Sequence, residues 1–212
     1  RCDVDHDYSG HILAGYPKAK KYTDFREMID KEKEIDAVLI GTPDHTHAVI
    51  AAYAMKAGKH VFVEKPMAKT IYETRFLRDL AKQTGVVTQM GNQGHNIEGT
   101  MQTVEWIQGG VIGDVREVHL WTNRPMWRQG YFDRPAGVDI PSNLNYDVWL
   151  GPAPDKPYNP EMLHFAWRGL WDYGTGAMGD MGAHTFDAPI WALNLGMPTK
   201  IQATSTPYNK DY

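Results

Sequence analysis

The sequence predicts an α/β fold: a doubly wound parallel sheet, then part of a second α/β unit with an open, mainly antiparallel sheet. Three observations carry this. Short apolar runs at residues 35–40, 61–63 and 86–90 end in small polar turns and alternate with helical patterns through short links. The run Val61-Phe62-Val63 passes directly into Glu64-Lys65-Pro66, and a continuous apolar run is how a buried parallel strand reads. Beyond Gly113 the pattern changes, and residues 115–122 alternate with period two, as a half-exposed antiparallel strand does.

Taken in order, the chain first shows Asp3 and Asp5 after a strand end. Asp24 is expected to cap a helix with Phe25, Met28 and Ile29 on one face. The strand at 35–40 runs out at Gly41-Thr42-Pro43. Asp44 or Thr46 should cap the next helix, with Val49, Ala52, Tyr53 and Met55 toward the sheet and Gly58 as a typical C′ residue. Pro66 stops the strand at 61–63, so Glu64 and Lys65 lie at its carboxyl end, the edge where open α/β sheets bind ligands. A surface Glu-Lys pair is the plainer alternative. Thr70 precedes a helix over residues 71–83, ended by Gly85. The strand at 86–90 closes at Gly91-Asn92-Gln93-Gly94-His95. A helix over 97–108 turns Met101, Val104 and Ile107 inward and stops at Gly109-Gly110. These boundaries divide the chain near Gly113, into residues 1–113 and 114–212.

Residues 124–158 are rich in Pro, Trp, Arg and Asn with little periodicity. Loops of this length are functional or disordered, and the aromatics argue against disorder. The stretch from Gly174 to Asp187 should be helical from about Gly176, which puts Asp180 and His184 one turn apart. A carboxylate there can fix an imidazole's tautomer and raise its basicity, as a general base requires. Asp187 is a rival orienting group. The glycines at 174, 176, 179 and 182 weaken a helix and point to a close approach to the backbone; Pro189 should kink or restart it. A glycine-packed helix terminus with a surface His-Asp pair is the alternative.

Composition excludes several classes. The 212 residues are 42% hydrophobic and 23% charged, ordinary for a globular protein, and the net charge of -4 has no basic cluster for nucleic acid or an anionic membrane. No apolar run approaches the roughly 20 residues of a spanning helix. A single cysteine, Cys2, rules out an internal disulfide and a cysteine-based metal site, in keeping with a reducing compartment. His45 and His47 stand without a carboxylate cluster, and no metal site is expected; His6, His11, His60 and His164 read as surface residues. Trp121, Trp127, Trp149, Trp167 and Trp171 lie beside Arg128, Arg168 and Asn residues, which suits a sugar's apolar face and hydroxyl rim. The chain opens without Met, like the tail of a strand, and its residues from Ile201 read like a strand beginning. A partial sequence is therefore expected, leaving the compartment open between cytoplasm and periplasm.

Three ordered motifs carry a resemblance: Ile40-Gly41-Thr42-Pro43-Asp44-His45-Thr46-His47, Gly58-Lys59-His60-Val61-Phe62-Val63-Glu64-Lys65-Pro66, and Gly179-Asp180-Met181-Gly182-Ala183-His184-Thr185-Phe186-Asp187. Together they resemble the Gfo/Idh/MocA oxidoreductases, whose namesakes are glucose–fructose oxidoreductase and inositol dehydrogenase. Residues 145–152 and 167–171 are similar to a large bacterial branch of that family. The resemblance implies a Rossmann domain, then an α/β domain that carries substrate and mediates homo-oligomerisation of the full-length chain. No G-x-G-x-x-G occurs; the family's first strand and glycine turn would precede Arg1.

The resemblance also implies roles. Asp3 would contact the adenosine ribose, favouring NAD over NADP. Thr42, Pro43 and His47 would lie along ribose and pyrophosphate, and Glu64 and Lys65 would form the signature pair, with Lys65 near nicotinamide and substrate. Asn92 and Gln93 would line the nicotinamide pocket. Lys65, Asp180 and His184 would be catalytic, and Trp127, Trp167, Arg168 and Asp187 are candidates for substrate contact. The expected activity is hydride transfer between NAD(P) and a carbinol of a sugar, polyol or glycoside. Two rivals are an NAD-assisted glycosidase or lyase on the same fold, and a non-catalytic sugar or nucleotide binding protein.

Overall fold

The structure is a computed structural model that describes residues 1–129 and 133–207. Three strands form a parallel sheet in sequential order: β1 (Ala37–Ile40), β2 (His60–Glu64) and β3 (Thr88–Gly91). The crossovers are α3 (Asp44–Lys56) and α4 (Ile71–Thr84), and these helices pack against each other on one face. Val38, Ile40, Val61 and Val63 point into that core with Ala51, Ala54, Met55, Leu77 and Leu80, while Leu39 on the opposite face is 72% exposed. Among the described residues, helices thus cover one face of the sheet.

Local signals account for the boundaries. After the short α1 (Gly10–Ala14), Asp24 caps α2 (Phe25–Lys31) by accepting from the Arg26 amide. Thr70 and Glu73 form a reciprocal capping box on α4, and Gly85 ends it at φ 69°, a conformation that glycine adopts without Cβ strain. The α3 start differs from expectation. Pro43 holds the cap position, the Asp44 carboxylate turns away to accept from Thr175 N (3.2 Å) and Oγ1 (2.8 Å), and the Thr46 hydroxyl donates to the Pro43 carbonyl. The buried face of α3 is Ala48, Ile50, Ala51, Ala54 and Met55, with Val49 exposed: close to one residue's rotation from the expected face.

α5 (Glu98–Gln108) buries Val104 but leaves Met101 40% exposed. The alternating residues 115–122 are unpaired, as are residues 201–207. A period-two pattern becomes a strand only when a partner supplies the ladder, and none of the described residues does. In the second part, a distinct core gathers Leu144, Tyr146, Trp149, Leu150, Met162, Trp167, Leu170 and Tyr173 around α6 (Tyr146–Leu150). α7 (Gly176–Thr185) begins at the expected glycine, and α8 (Asp187–Ala192) restarts the chain around Pro189.

The second core is tied to the first part at several points. Val4 packs against it, and Asp5 pairs with Leu144. His45, on the first turn of α3, places Nε2 2.9 Å from the Trp149 carbonyl and Nδ1 3.3 Å from that of Tyr173. Residues 127–128 and 168–169 pack so closely that a Cβ at Gly169 would strike the Arg128 carbonyl. That glycine is what permits the close approach. The described part of the aromatic-rich stretch is thereby held as built structure, while residues 130–132 of it lie outside the described residues.

Candidate active site

Two clefts open near the carboxyl ends of the strands. The first, about 430 Å³, is lined by Cys2, Asp3, Leu39, Gly41, Thr42, Pro43, Trp149, Trp167 and Arg168, among others. The second, about 410 Å³, is lined by Lys65, Arg124, Trp127, Phe165, Arg168, Asp180, Met181 and His184. Lys65 and His184, from opposite ends of the sequence, therefore share one pocket.

The Lys65 ammonium donates to the Asp180 carboxylate in a short ion pair and to the Asp180 carbonyl at 3.2 Å. An ammonium has three donors, so one N–H remains. This revises the expected arrangement, in which Asp180 hydrogen-bonds His184 one helical turn away. The carboxylate is taken by Lys65, and it reaches His184 through charge alone. Burial, then the positive charge of Lys65, hold the His184 imidazole below its ordinary pKa, with Asp180 opposing them. His184 is therefore neutral at neutral pH, the form that can accept a proton, and no described residue hydrogen-bonds its ring.

Other expectations change as well. Buried at 1% exposure, His47 has Nδ1 2.7 Å from the Pro66 carbonyl and Nε2 2.7 Å from the Thr42 carbonyl. It braces the Thr42–Pro43 turn from behind and has no ring nitrogen left for a ligand. Asp187 accepts from His95 Nδ1 at 2.9 and 3.0 Å and is absent from both clefts. His95 itself stacks on Trp191, ring centroids 4.4 Å apart. Trp167 lines the first cleft and Trp127 the second, so they do not form one platform; Arg168 lines both.

At the sheet edge, Glu64 lies over Gly91, where a Cβ would come within 2.9 Å of its carboxyl group. Asn92 donates to the Ala183 carbonyl at 3.0 Å, its Oδ1 is buried without a partner, and the neighbouring Gln93 is exposed. Asp3 keeps a carboxylate in the first cleft, accepting from the Asp5 amide at 2.9 Å. Asp5 is spent on structure: it accepts from Asp7 N, Tyr8 N and Asn143 and pairs with His164 at 3.1 Å. Burial raises the Asp5 pKa, but those hydrogen bonds and the His164 charge outweigh it and the net shift is down. His164, expected at the surface, is half-buried and stacked on Tyr8. Burial and the Asp24 carboxylate push the Cys2 thiol up to about 12, so it is no thiolate nucleophile. Among the described residues no group of three or more His, Cys, Asp or Glu is placed to hold a metal ion, and no helix is long and apolar enough to cross a membrane.

Arg124 and Phe165, both lining the second cleft, are the residues that sequence reasoning missed. For Arg124 there was no signal, since it stands in an aperiodic loop.

A parallel sheet with cleft residues near its carboxyl edge is the arrangement at which open α/β folds bind their ligands. Comparison with known proteins names the class. Residues 6–92 match the Gfo/Idh/MocA model described as "Oxidoreductase family, NAD-binding Rossmann fold", and residues 121–211 match the one described as "Oxidoreductase family, C-terminal alpha/beta domain". The chain belongs to the Gfo/Idh/MocA oxidoreductase family. It is 34% identical over 93 residues to a levoglucosan dehydrogenase of Pseudarthrobacter phenanthrenivorans, a match covering 44% of this chain and 24% of that protein. It is 33% identical over 139 residues to glycosyl hydrolase family 109 protein 1 of a Shewanella species, covering 63% and 30% respectively. An NAD binding oxidoreductase from Klebsiella pneumoniae superposes with a TM-score of 0.54 at 26% identity, over 91% of this chain and 43% of that one. The chain thus spans under a third of the length of these two curated relatives.

Proposed function

We propose that the protein to which this chain belongs transfers a hydride between NAD and a carbinol carbon of a sugar, polyol or glycoside. Residues 1–113 hold the cofactor, and residues 114–212 supply the substrate side. The observation that carries this reading is the shared pocket of Lys65, Asp180 and His184 beside a second, separate cleft holding Asp3, Thr42 and Pro43.

The residues present fit a nicotinamide dinucleotide. Asp3 offers an acceptor for ribose hydroxyls and a negative charge that repels a 2′-phosphate, which favours NAD. Gly41 and Thr42 form the turn for the ribose and pyrophosphate, with His47 behind it. At the strand ends Glu64 and Gln93 flank the nicotinamide side, where the unpartnered Asn92 Oδ1 is an acceptor awaiting a donor. When bound, nicotinamide supplies the two-electron acceptor.

The chain's own groups do the rest. His184 takes the hydroxyl proton as hydride leaves the carbon, and the remaining Lys65 N–H stabilises the developing alkoxide. Asp180 holds Lys65 in place and supports the imidazolium by charge. Trp127 and Phe165 give this pocket an aromatic side. The full-length protein, as a homo-oligomer in keeping with its family, should reduce NAD with a sugar or polyol and prefer it to NADP, and Asp3→Ser should weaken that preference. Reduction of NADP in preference to NAD by the unmodified protein would sink the Asp3 assignment.

The relative named as a glycosyl hydrolase favours a second reading, a redox-assisted cleavage in which the cofactor is restored each turnover. Stoichiometric release of NADH supports the first reading; glycoside cleavage with total NAD unchanged supports the second.

A further inference from the structure

The second cleft is lined by three cations, Lys65, Arg124 and Arg168, against one carboxylate, Asp180, and that carboxylate is already paired with Lys65. Among the described residues neither Arg124 nor Arg168 lies in an ion pair. The acids nearby are engaged elsewhere: Asp44 accepts two bonds from Thr175, and Glu64 folds over Gly91. A pocket built for a neutral polyol has no need of two guanidinium groups that lie outside any ion pair, and the charge of Arg124 lowers the basicity of His184.

Arg168 is also pre-positioned. Its guanidinium carbon lies 4.3 Å from the Trp167 ring centroid, 4.7 Å from Phe165 and 5.8 Å from Trp127. One of its N–H groups donates to the Phe165 carbonyl at 3.1 Å. A guanidinium has five N–H donors in a fixed fork, so most of its donor capacity is unspent. Aromatic faces hold the plane without neutralising it, and a planar fork held this way pairs with an oxyanion through two parallel hydrogen bonds. Arg124, on a different segment, brings the second charge to the same pocket.

We propose that the substrate of this pocket carries an oxyanion substituent, a carboxylate or a phosphate, bound by Arg168 and Arg124 while the carbinol faces His184 and Lys65. The substrate class is thus an acidic sugar or polyol; this rests on the hydride-transfer reading above. Because Arg168 also lines the first cleft, its charge could serve the cofactor's pyrophosphate instead, and the experiment has to separate the two. Arg124 lines the substrate pocket alone.

The test uses the full-length protein loaded with NAD. Binding by calorimetry and hydride transfer by NADH absorbance are measured with glucuronate, glucose 6-phosphate and glucose. Either acid should bind more tightly than glucose, and the better acid identifies carboxylate or phosphate. Arg168→Gln and Arg124→Gln should each cut the acid-over-glucose preference by about 10- to 100-fold, the range for losing a charged hydrogen bond, with glucose binding little changed. Arg124→Gln should leave NAD affinity intact. Equal or better binding of glucose, binding of neither acid, or an Arg168→Gln effect confined to NAD affinity would each overturn the proposal. Binding of an acid without NAD reduction keeps the charge assignment and defeats the hydride-transfer reading. NAD reduction by glucose with no preference for either acid does the reverse.

Discussion

Lys65 and Asp180, 115 positions apart, form an ion pair whose side chains are only 17% and 10% exposed. One stands just past β2 and the other inside α7, so the contact joins the sheet edge to the helix that bears His184. Partial burial makes the pair consequential, because a charge left alone there has lost water and gained nothing.

Removing one partner should therefore cost more than removing both. Lys65→Met strands the Asp180 carboxylate and is expected to lower stability to urea by about 3 kcal/mol. Lys65→Met combined with Asp180→Leu should recover much of that loss. Additive losses in this double-mutant cycle would show that the two side chains do not interact in solution.

Gly169 sets the back-to-back packing of the segments bearing Trp127 and Arg168. Alanine there drives a methyl into the Arg128 carbonyl, a backbone atom that cannot swing aside as a flexible side chain can. Gly169→Ala should destabilise by at least about 2 kcal/mol, as overpacking does, and should change the near-UV signal of the tryptophans. At Gly94 nothing lies within 4 Å of the added Cβ, so Gly94→Ala is the control and should be close to neutral.

These two contacts mark how far the sequence could be read. The sheet and its crossovers were legible because apolar runs, caps and terminal glycines are local signals, and Asp24, Thr70 and Gly85 all act where their chemistry predicts. The partner of Asp180 was not legible. Helical spacing puts His184 within its reach, but Lys65 arrives from a distant strand and competes for the same carboxylate. Arg124 and the closeness of Gly169 to Arg128 depend on how two aperiodic loops meet, which no periodicity encodes. The alternation at 115–122 was read as a strand, yet pairing needs a second strand and the pattern alone does not supply one.

His45 gives a pH prediction for stability. It is 2% exposed, and burial lowers its pKa from 6.5 to about 4 despite two nearby carbonyls. The unfolded chain therefore binds a proton that the folded chain refuses. The neutral ring's stability is present above pH 6.5 and is lost as pH falls toward about 4. Fully developed, the loss is on the order of 3 kcal/mol. In His45→Gln, which cannot titrate, urea stability should fall less steeply between neutral pH and about pH 4. An unchanged slope would remove His45 from the acid response.

His184 supplies the kinetic counterpart. Its pKa is lowered from 6.5 by burial and by Lys65, with Asp180 pulling the other way. A general base works when deprotonated, so kcat/KM should rise with pH through a limb below 6.5 and then level off. The two neighbours must move that limb in opposite directions. Lys65→Met removes a repelling charge and should shift it to higher pH; Asp180→Asn removes a supporting charge and should shift it lower. His184→Ala should abolish the limb, reduce the rate by about 100- to 10,000-fold and leave NAD affinity close to unchanged, since His184 lines the second cleft alone. Steady-state rates against pH, with NAD titrations for each variant, separate these outcomes. If His184→Ala keeps both its turnover and its acid limb, the proton acceptor is another group. The remaining candidates in that pocket are then the Asp180 carboxylate and Lys65 in its neutral form.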